Sequence, residues 1–212
     1  MLKIVLAISC AFLIVSCENK TSTNALPYYN SANFEPQFLS SDQAEKQINH
    51  TIANFSMTDQ YNKTITQKDI EGKIHVANFF FTSCGSICPK MTNNLIAVQD
   101  FMKNEKDIVL FSYSVTPWQD SVPVLKSFAK EYKITSPNWH LLTGKKEEIY
   151  ELARKSYFAE ENIGFSKDTT DFLHTEHILL VDKNKKIRGI YNATLELEIQ
   201  QLIKDISILK KE

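Results

Sequence analysis

Cysteine is scarce in this chain. There are four, and two of them, Cys10 and Cys17, fall in the N-terminal segment. Only Cys84 and Cys88 remain for the rest of the molecule, too few for a disulfide-stapled scaffold. Charge of one sign is also missing. The 24 basic and 25 acidic residues leave a formal net charge of -1, so there is no electrostatic footprint for nucleic acid. The apolar run Ile4 to Val15 covers about a dozen residues, short of the roughly 20 that a membrane-spanning helix needs. No internal repeat is visible, and no proline follows Pro137.

What is present begins with an export signal. Met1-Leu2-Lys3 is a short positive start, and the apolar run after it has the length of a signal-peptide core. It ends in Ser16-Cys17 and turns polar at Glu18-Asn19-Lys20. That junction resembles a lipobox, at which bacteria lipidate the cysteine and cut before it. Cys10 fits less well, because cleavage there would leave a very short signal. The expected organisation is a signal peptide over 1–17 with Cys17 lipidated and a polar tether over 18–45, followed by one domain over 46–212. The domain is then held outside the cytoplasm in a bacterial cell envelope, tethered to a membrane by its N-terminal lipid. Tyr28, Tyr29 and Phe34 are the tether residues suited to docking on the domain.

From about residue 50 the patterns become regular. Ile52 to Met57 and Thr64 to Thr66 suggest a hairpin around Asp59–Lys63. Ile74 to Phe81 is a short, mostly apolar run, expected of a strand covered on both faces. Met91, Leu95, Val98 and Met102 recur at helical steps after the cysteines. Ile108 to Val115 reads as a second buried strand. Val122, Leu125, Phe128 and Tyr132 mark a second helix, begun by Asp120-Ser121. A short strand at Trp139–Leu142 and a helix from Glu147 to about Tyr157 follow. After a polar loop near 159–172, His177–Val181 and Ile187–Tyr191 form a hairpin, and Leu195, Ile199, Leu202, Ile206 and Leu209 a closing helix. This order predicts an α/β, thioredoxin-like fold: a mixed central sheet flanked by helices, with an N-terminal β-hairpin.

The chemistry centres on Cys84-Gly85-Ser86-Ile87-Cys88-Pro89. A buried strand ends, a turn forms at Gly85, and a helix starts near Cys88, with Pro89 suited to its first position. A thiol at a helix N-terminus meets unpaired N–H groups, so its thiolate is favoured. Sulfurs four residues apart face the same way if the turn is helical. They can then share one ion or oxidise to a disulfide. A third ligand must come from elsewhere, and histidine is the candidate. His50, His75 and His140 read as structural residues. His174 and His177 follow the polar loop, where the chain approaches the end of the first buried strand. An odd separation points them to opposite faces of an extended segment, so one of the two can face the cysteines. Residue chemistry favours His174 only slightly. Met91 and Met102 lie on an apolar stripe and read as core.

The run Phe79-Phe80-Phe81-Thr82-Ser83-Cys84-Gly85-Ser86-Ile87-Cys88-Pro89-Lys90-Met91, with His174-Thr175 ahead of Leu180-Val181-Asp182 and Tyr191, resembles the SCO/SenC family of copper-binding proteins. The likeness runs from about His50 to the C-terminus. It implies a thioredoxin-like metallochaperone that helps to build the binuclear copper centre of cytochrome c oxidase. The implied partner is therefore a cuproprotein, an oxidase subunit. By position the resemblance implies Cys84, Cys88 and His174 as copper ligands, and a Cys84–Cys88 disulfide as the metal-free oxidised form. Two thiolates and an imidazole suit Cu(I), and the imidazole also suits Cu(II). Two departures from the family pattern stand out: Gly85 where proline is frequent, and Thr116-Pro117 where Asp-Pro is frequent, with Asp120 retained.

The main rival is a thiol-disulfide oxidoreductase acting on partner cysteines, as sole or accessory activity. Such enzymes typically use Cys-x-x-Cys and a cis-proline facing the thiols, and this chain has a longer spacing and no late proline. A peroxidase or redox sensor has no support beyond the thiol pair. A stapling role is weak, because so short a loop contributes little through chain entropy.

Overall fold

The computed structural model describes residues 25–159 and 175–212. Cys10, Cys17 and His174 lie outside the described residues, as do the signal segment and most of the polar loop before β6. No helix among the described residues is long and apolar enough to cross a membrane.

The elements in chain order are α1 (Ser41–Gln47), β1 (Ser56–Asp59), β2 (Thr64–Thr66), β3 (Ile74–Phe80), α2 (Ile87–Met102), β4 (Ile108–Ser114) and α3 (Val122–Glu131). They continue with β5 (Trp139–Thr143), α4 (Lys146–Glu151), β6 (His177–Val181), β7 (Ile187–Asn192) and α5 (Glu196–Leu209). The strands form one sheet in the order β2-β1-β5-β4-β3-β6-β7. β3, β4 and β5 are parallel, whereas β6 runs antiparallel to β3 and β7 antiparallel to β6. The sheet is therefore mixed, and β3 lies inside it with a neighbour on each side.

Both faces of β3 are covered, which is why it is apolar almost throughout. All seven residues are buried. Ile74, Val76 and Phe80 pack with α2, α3 and α5 on one face, while Ala77 and Phe79 pack with α4 on the other. The helix stripe read from the sequence is the buried stripe of α2: Met91, Leu95, Val98 and Met102 are each at most 1% exposed. α5 presents Ile199, Leu202, Ile206 and Leu209 to the same core. The helix expected from Glu147 to Tyr157 starts one residue earlier and changes at Leu152 into a π-helical turn ending at Ser156.

The polar pair inside β3 and β4 is satisfied within the sheet. Ser112 Oγ donates to Asn78 Oδ1 at 2.7 Å, and Trp139 Nε1 donates to Ser112 Oγ at 3.0 Å. Buried polar groups without such partners would cost stability.

Residues 25–50 lie on the domain. Tyr28 bridges to Gln37 and Tyr29 to Ile187, and Phe34 meets Phe158 edge to face. Arg188, 3% exposed, holds this segment from beneath: Nη2 donates to the Leu26 carbonyl at 2.9 Å and Nε to that of Pro27 at 3.1 Å. Its guanidinium also stacks 3.9 Å from the Tyr28 ring centre. α1 begins with a capping box in which Ser40 and Gln43 satisfy each other's backbone N–H groups.

Candidate metal centre

β3 delivers the chain to Phe80, and a short non-helical turn carries Cys84 back over the start of α2. Both cysteines are free thiols. They sit on the sheet face covered by α2, with Cys84 8% and Cys88 1% exposed. Their meeting does not come from helical spacing, as the sequence suggests. Ser86, the residue before α2, has φ −117° and ψ −97°, so the segment joining the two is not a helical turn. Pro89 is correspondingly the third residue of α2 rather than the first. Its missing N–H costs nothing there either, because the opening N–H groups of a helix have no partner within it.

The geometry treats the two sulfurs differently. Burial works to raise the Cys84 pKa, but its sulfur also receives the backbone N–H groups of Cys88, Ser86 and Ile87 and a hydrogen bond from the Cys88 thiol. The net result lies below the ordinary thiol value. Cys88 is pushed up to about 12, first by burial and then by its hydrogen bond and charge interaction with Cys84. One sulfur is thus held toward thiolate, and the other keeps its proton until metal ligation or disulfide formation displaces it.

A buried carboxylate stands behind the turn. Asp120 is fully buried and follows the end of β4. Its Oδ1 accepts from Thr82 Oγ1 at 2.5 Å. Oδ2 accepts from Ser114 Oγ at 2.6 Å, Thr116 Oγ1 at 3.1 Å and the Thr82 N–H at 3.2 Å. The sequence marks Asp120 as part of a helix start and as a retained position of the family pattern, without assigning it a partner. In the structure the residue before α3 is Ser121, without a side-chain cap, and Asp120 is turned toward the cysteine loop. The sequence reading also passed over Thr82 and Ser114. The signal available was that β3 and β4, adjacent and parallel, both end among hydroxyl residues.

The histidines separate clearly. His50 Nε2 bonds the Ser156 carbonyl at 2.7 Å. His75 Nε2 bonds Tyr157 OH at 3.0 Å, and His140 Nδ1 bonds Asp59 Oδ2 at 3.0 Å. All three are tied into the body of the fold. His177 opens β6 and precedes Ile178, which pairs with Asn78, so β6 begins at the cysteine end of β3. By strand alternation His177 shares the face of Leu179 and Val181, which pack in the cluster opposite α2. The cysteines lie on the α2 face. Among the described residues no third His, Cys, Asp or Glu joins them as a metal-holding group. Two sulfurs, the Cys84 one held toward thiolate, suit a soft cation that still lacks one donor.

Comparison with known proteins shows the family and the fold. The SCO1/SenC family model matches residues 43–210. A crystal structure of a SCO1/SenC family lipoprotein from Bacillus anthracis is 30% identical with a TM-score of 0.66, covering 77% of this chain and 96% of that one. The structure of BsSco, described as a member of the Sco family of cytochrome c oxidase assembly proteins and solved in identifying a disulfide switch, is 30% identical with a TM-score of 0.64. The match covers 76% of this chain and 94% of that one. Arabidopsis thaliana ScoI, crystallised with copper bound, is 25% identical with a TM-score of 0.57, over 76% and 98% of the two chains. The thioredoxin-like fold expected from the order of elements is the fold of these relatives, and the chain belongs to the SCO1/SenC family.

Proposed function

We propose that this protein is an exported copper carrier of SCO type. It takes one copper ion through the Cys84 and Cys88 thiolates and the His174 imidazole and delivers it to a cuproprotein. The single observation that carries the reading is the unequal thiol pair: Cys84 is held toward thiolate by three N–H groups and the Cys88 thiol. A soft monovalent cation held by two sulfurs displaces the Cys88 proton, which suits Cu(I), while an imidazole extends the set to Cu(II). His177 is the weaker candidate for that imidazole, because it shares the face opposite α2. The copper-bound relative supports the cargo. The relative described as a cytochrome c oxidase assembly protein supports the recipient, the binuclear copper centre of that oxidase.

Copper passes by ligand exchange. Three donors leave a coordination position for a recipient's ligand, so the new bond forms before the old set lets go. The likeness to a family lipoprotein supports the N-terminal organisation as well: a signal peptide over 1–17, a lipid on Cys17, a linking segment over 18–45, and a domain over 46–212 outside the cytoplasm.

A second reading, thiol-disulfide exchange with a partner, is favoured by the same asymmetry. A thiolate-prone Cys84 above a buried resolving Cys88 is the arrangement such exchange needs, and a relative carries a disulfide switch. Titration of the reduced full-length protein with Cu(I) against a competing chelator tests the primary reading. One equivalent is expected, and Cys84→Ser or Cys88→Ser abolishes tight uptake. Reduction of partner disulfides without copper uptake would replace the first reading by the second.

A further inference from the structure

Asp120 is a fully buried carboxylate, and no ion pair meets it among the described residues. Its cost of burial is offset instead by four donors. Two come from Thr82, two residues before Cys84, through Oγ1 and the backbone N–H. The other two, Ser114 Oγ and Thr116 Oγ1, come from the end of β4 and the loop after it. The backbone supports the same junction. The Val115 N–H donates to the Phe80 carbonyl at 2.9 Å, and the Asp120 N–H to the Thr116 carbonyl at 2.9 Å. Ser83 Oγ reaches Gln119 Oε1 at 3.5 Å. One carboxylate therefore fastens the approach to Cys84 onto the rim of the neighbouring strand.

We propose that Asp120 is a positioning residue of the thiol site: it clasps the Thr82 segment to the β4 rim and thereby holds Cys84 over the start of α2, in register with Cys88. The turn between the cysteines is non-helical, so α2 alone does not fix the Cys84 sulfur. The Cys84 N–H bond to the Phe81 carbonyl, at 3.3 Å, is long. Fixing Thr82 at both its N–H and its hydroxyl supplies the missing constraint. Both the dithiol–disulfide balance and metal affinity depend on how the two sulfurs are held, so the clasp governs both.

Side-chain chemistry separates position from charge. Asparagine at 120 retains one carbonyl oxygen for Ser114, Thr116 and the Thr82 N–H. The Thr82 hydroxyl can rotate to accept from the new amide. Asp120→Asn thus removes the charge and keeps the clasp, whereas Asp120→Ala removes both. Thr82→Val deletes one arm of the clasp and leaves the charge in place.

The test uses the full-length protein and two readouts. In the first, the protein dithiol is equilibrated with glutathione disulfide. Each turnover forms the Cys84–Cys88 bond, cleaves one glutathione S–S bond and releases two glutathione thiols, so two electrons and two protons pass to glutathione. The second is Cu(I) affinity against a competing chelator, and this readout alone rests on the copper reading. Asp120→Ala is expected to shift the glutathione equilibrium constant at least about 5-fold and to weaken copper binding by roughly 10-fold or more. Asp120→Asn should remain within about 3-fold of wild type in both, and Thr82→Val should fall between the two. Should Asp120→Ala fail to fold, Thr82→Val decides by itself: wild-type values in both readouts would overturn the proposal. Asp120→Asn as impaired as Asp120→Ala would overturn it too, by assigning the effect to charge. If the wild-type protein takes up no copper, the copper reading falls while the glutathione equilibrium still judges the clasp.

Discussion

The Cys88 thiol donates a hydrogen bond to the Cys84 sulfur, and their surroundings move the two in opposite directions: Cys84 below the ordinary thiol value and Cys88 up to about 12. Burial opposes ionisation at both, but at Cys84 the N–H groups of Cys88, Ser86 and Ile87 and the Cys88 thiol outweigh it, whereas at Cys88 the N–H groups of Phe81 and Cys88 do not. Alkylation follows the thiolate. At pH 8 a thiol with a pKa of about 12 is ionised to a fraction of roughly 10⁻⁴. Iodoacetamide is therefore expected to label Cys84 first, by at least about 100-fold over Cys88 in the folded reduced protein. Mass spectrometry of quenched time points checks this, and equal rates would contradict the asymmetry.

His75 carries a second pH-dependent consequence. It is fully buried, its Nδ1 has no hydrogen-bond partner among the described residues, and burial lowers its pKa to about 3. The folded state therefore keeps it neutral while the unfolded chain protonates it near 6.5. A depressed folded pKa contributes stability that is present above the unfolded value and lost as pH falls through the folded one. His75→Gln retains a polar partner for Tyr157 without titrating. Between pH 6 and pH 4 the variant should lose stability less steeply than wild type, by about 1.4 kcal/mol per pH unit. Urea unfolding across that range measures it, and parallel slopes would refute it.

Much of the fold is legible in the sequence, because periodicity reports burial. β3 is apolar but for His75 and Asn78 because each face meets a different cluster, and the spacing of Met91, Leu95, Val98 and Met102 is the stripe α2 buries. The site was legible as residue types but not as geometry. Spacing turns Cys84 and Cys88 the same way only if the segment between them is helical, whereas a non-helical turn brings them together. Asp120 sits beside Ser121 and so looks like a cap, but its partners at Thr82 and Ser114 lie 38 and 6 residues away. Contacts of that kind leave no local period. α1 had a readable signal in Ser40-Ser41-Asp42-Gln43, a capping box that the polar composition of the surrounding segment concealed.

Gly85 stands where family members often carry proline. A Cβ built there would meet nothing within 4 Å, and its φ is outside the left-handed range. Neither space nor backbone conformation demands glycine. Gly85→Ala should change stability by no more than about 0.5 kcal/mol and leave copper uptake unaltered. Thermal melts and chelator competition check both, and a large loss in either would reveal a constraint on the turn beyond sterics.

Arg188 joins the N-terminal segment to the end of the chain. Besides the Leu26 and Pro27 carbonyls, it pairs with Asp182 at 3.2 Å and Glu212 at 2.6 Å. Burial is the main influence raising the Asp182 pKa, and the Arg188 guanidinium works against it. Arg188→Ala leaves that carboxylate buried without its cation and should cost roughly 3 kcal/mol. It should also release the segment at Leu26–Tyr28, read as faster proteolysis in the 25–40 region at temperatures where the domain remains folded. Unchanged cleavage there would mean that the bridges at Tyr28 and Tyr29 hold the segment unaided.

The central claim is that a histidine from the segment before β6 completes the donor set of Cys84 and Cys88, and that it is His174. Cu(I) affinity of the reduced full-length protein, measured against a competing chelator for wild type, His174→Ala and His177→Ala, tests it most directly. The account predicts a loss of about 10-fold or more for His174→Ala and wild-type affinity for His177→Ala, whose side chain belongs to the face opposite α2. Wild-type affinity in His174→Ala, or a loss confined to His177→Ala, would contradict it.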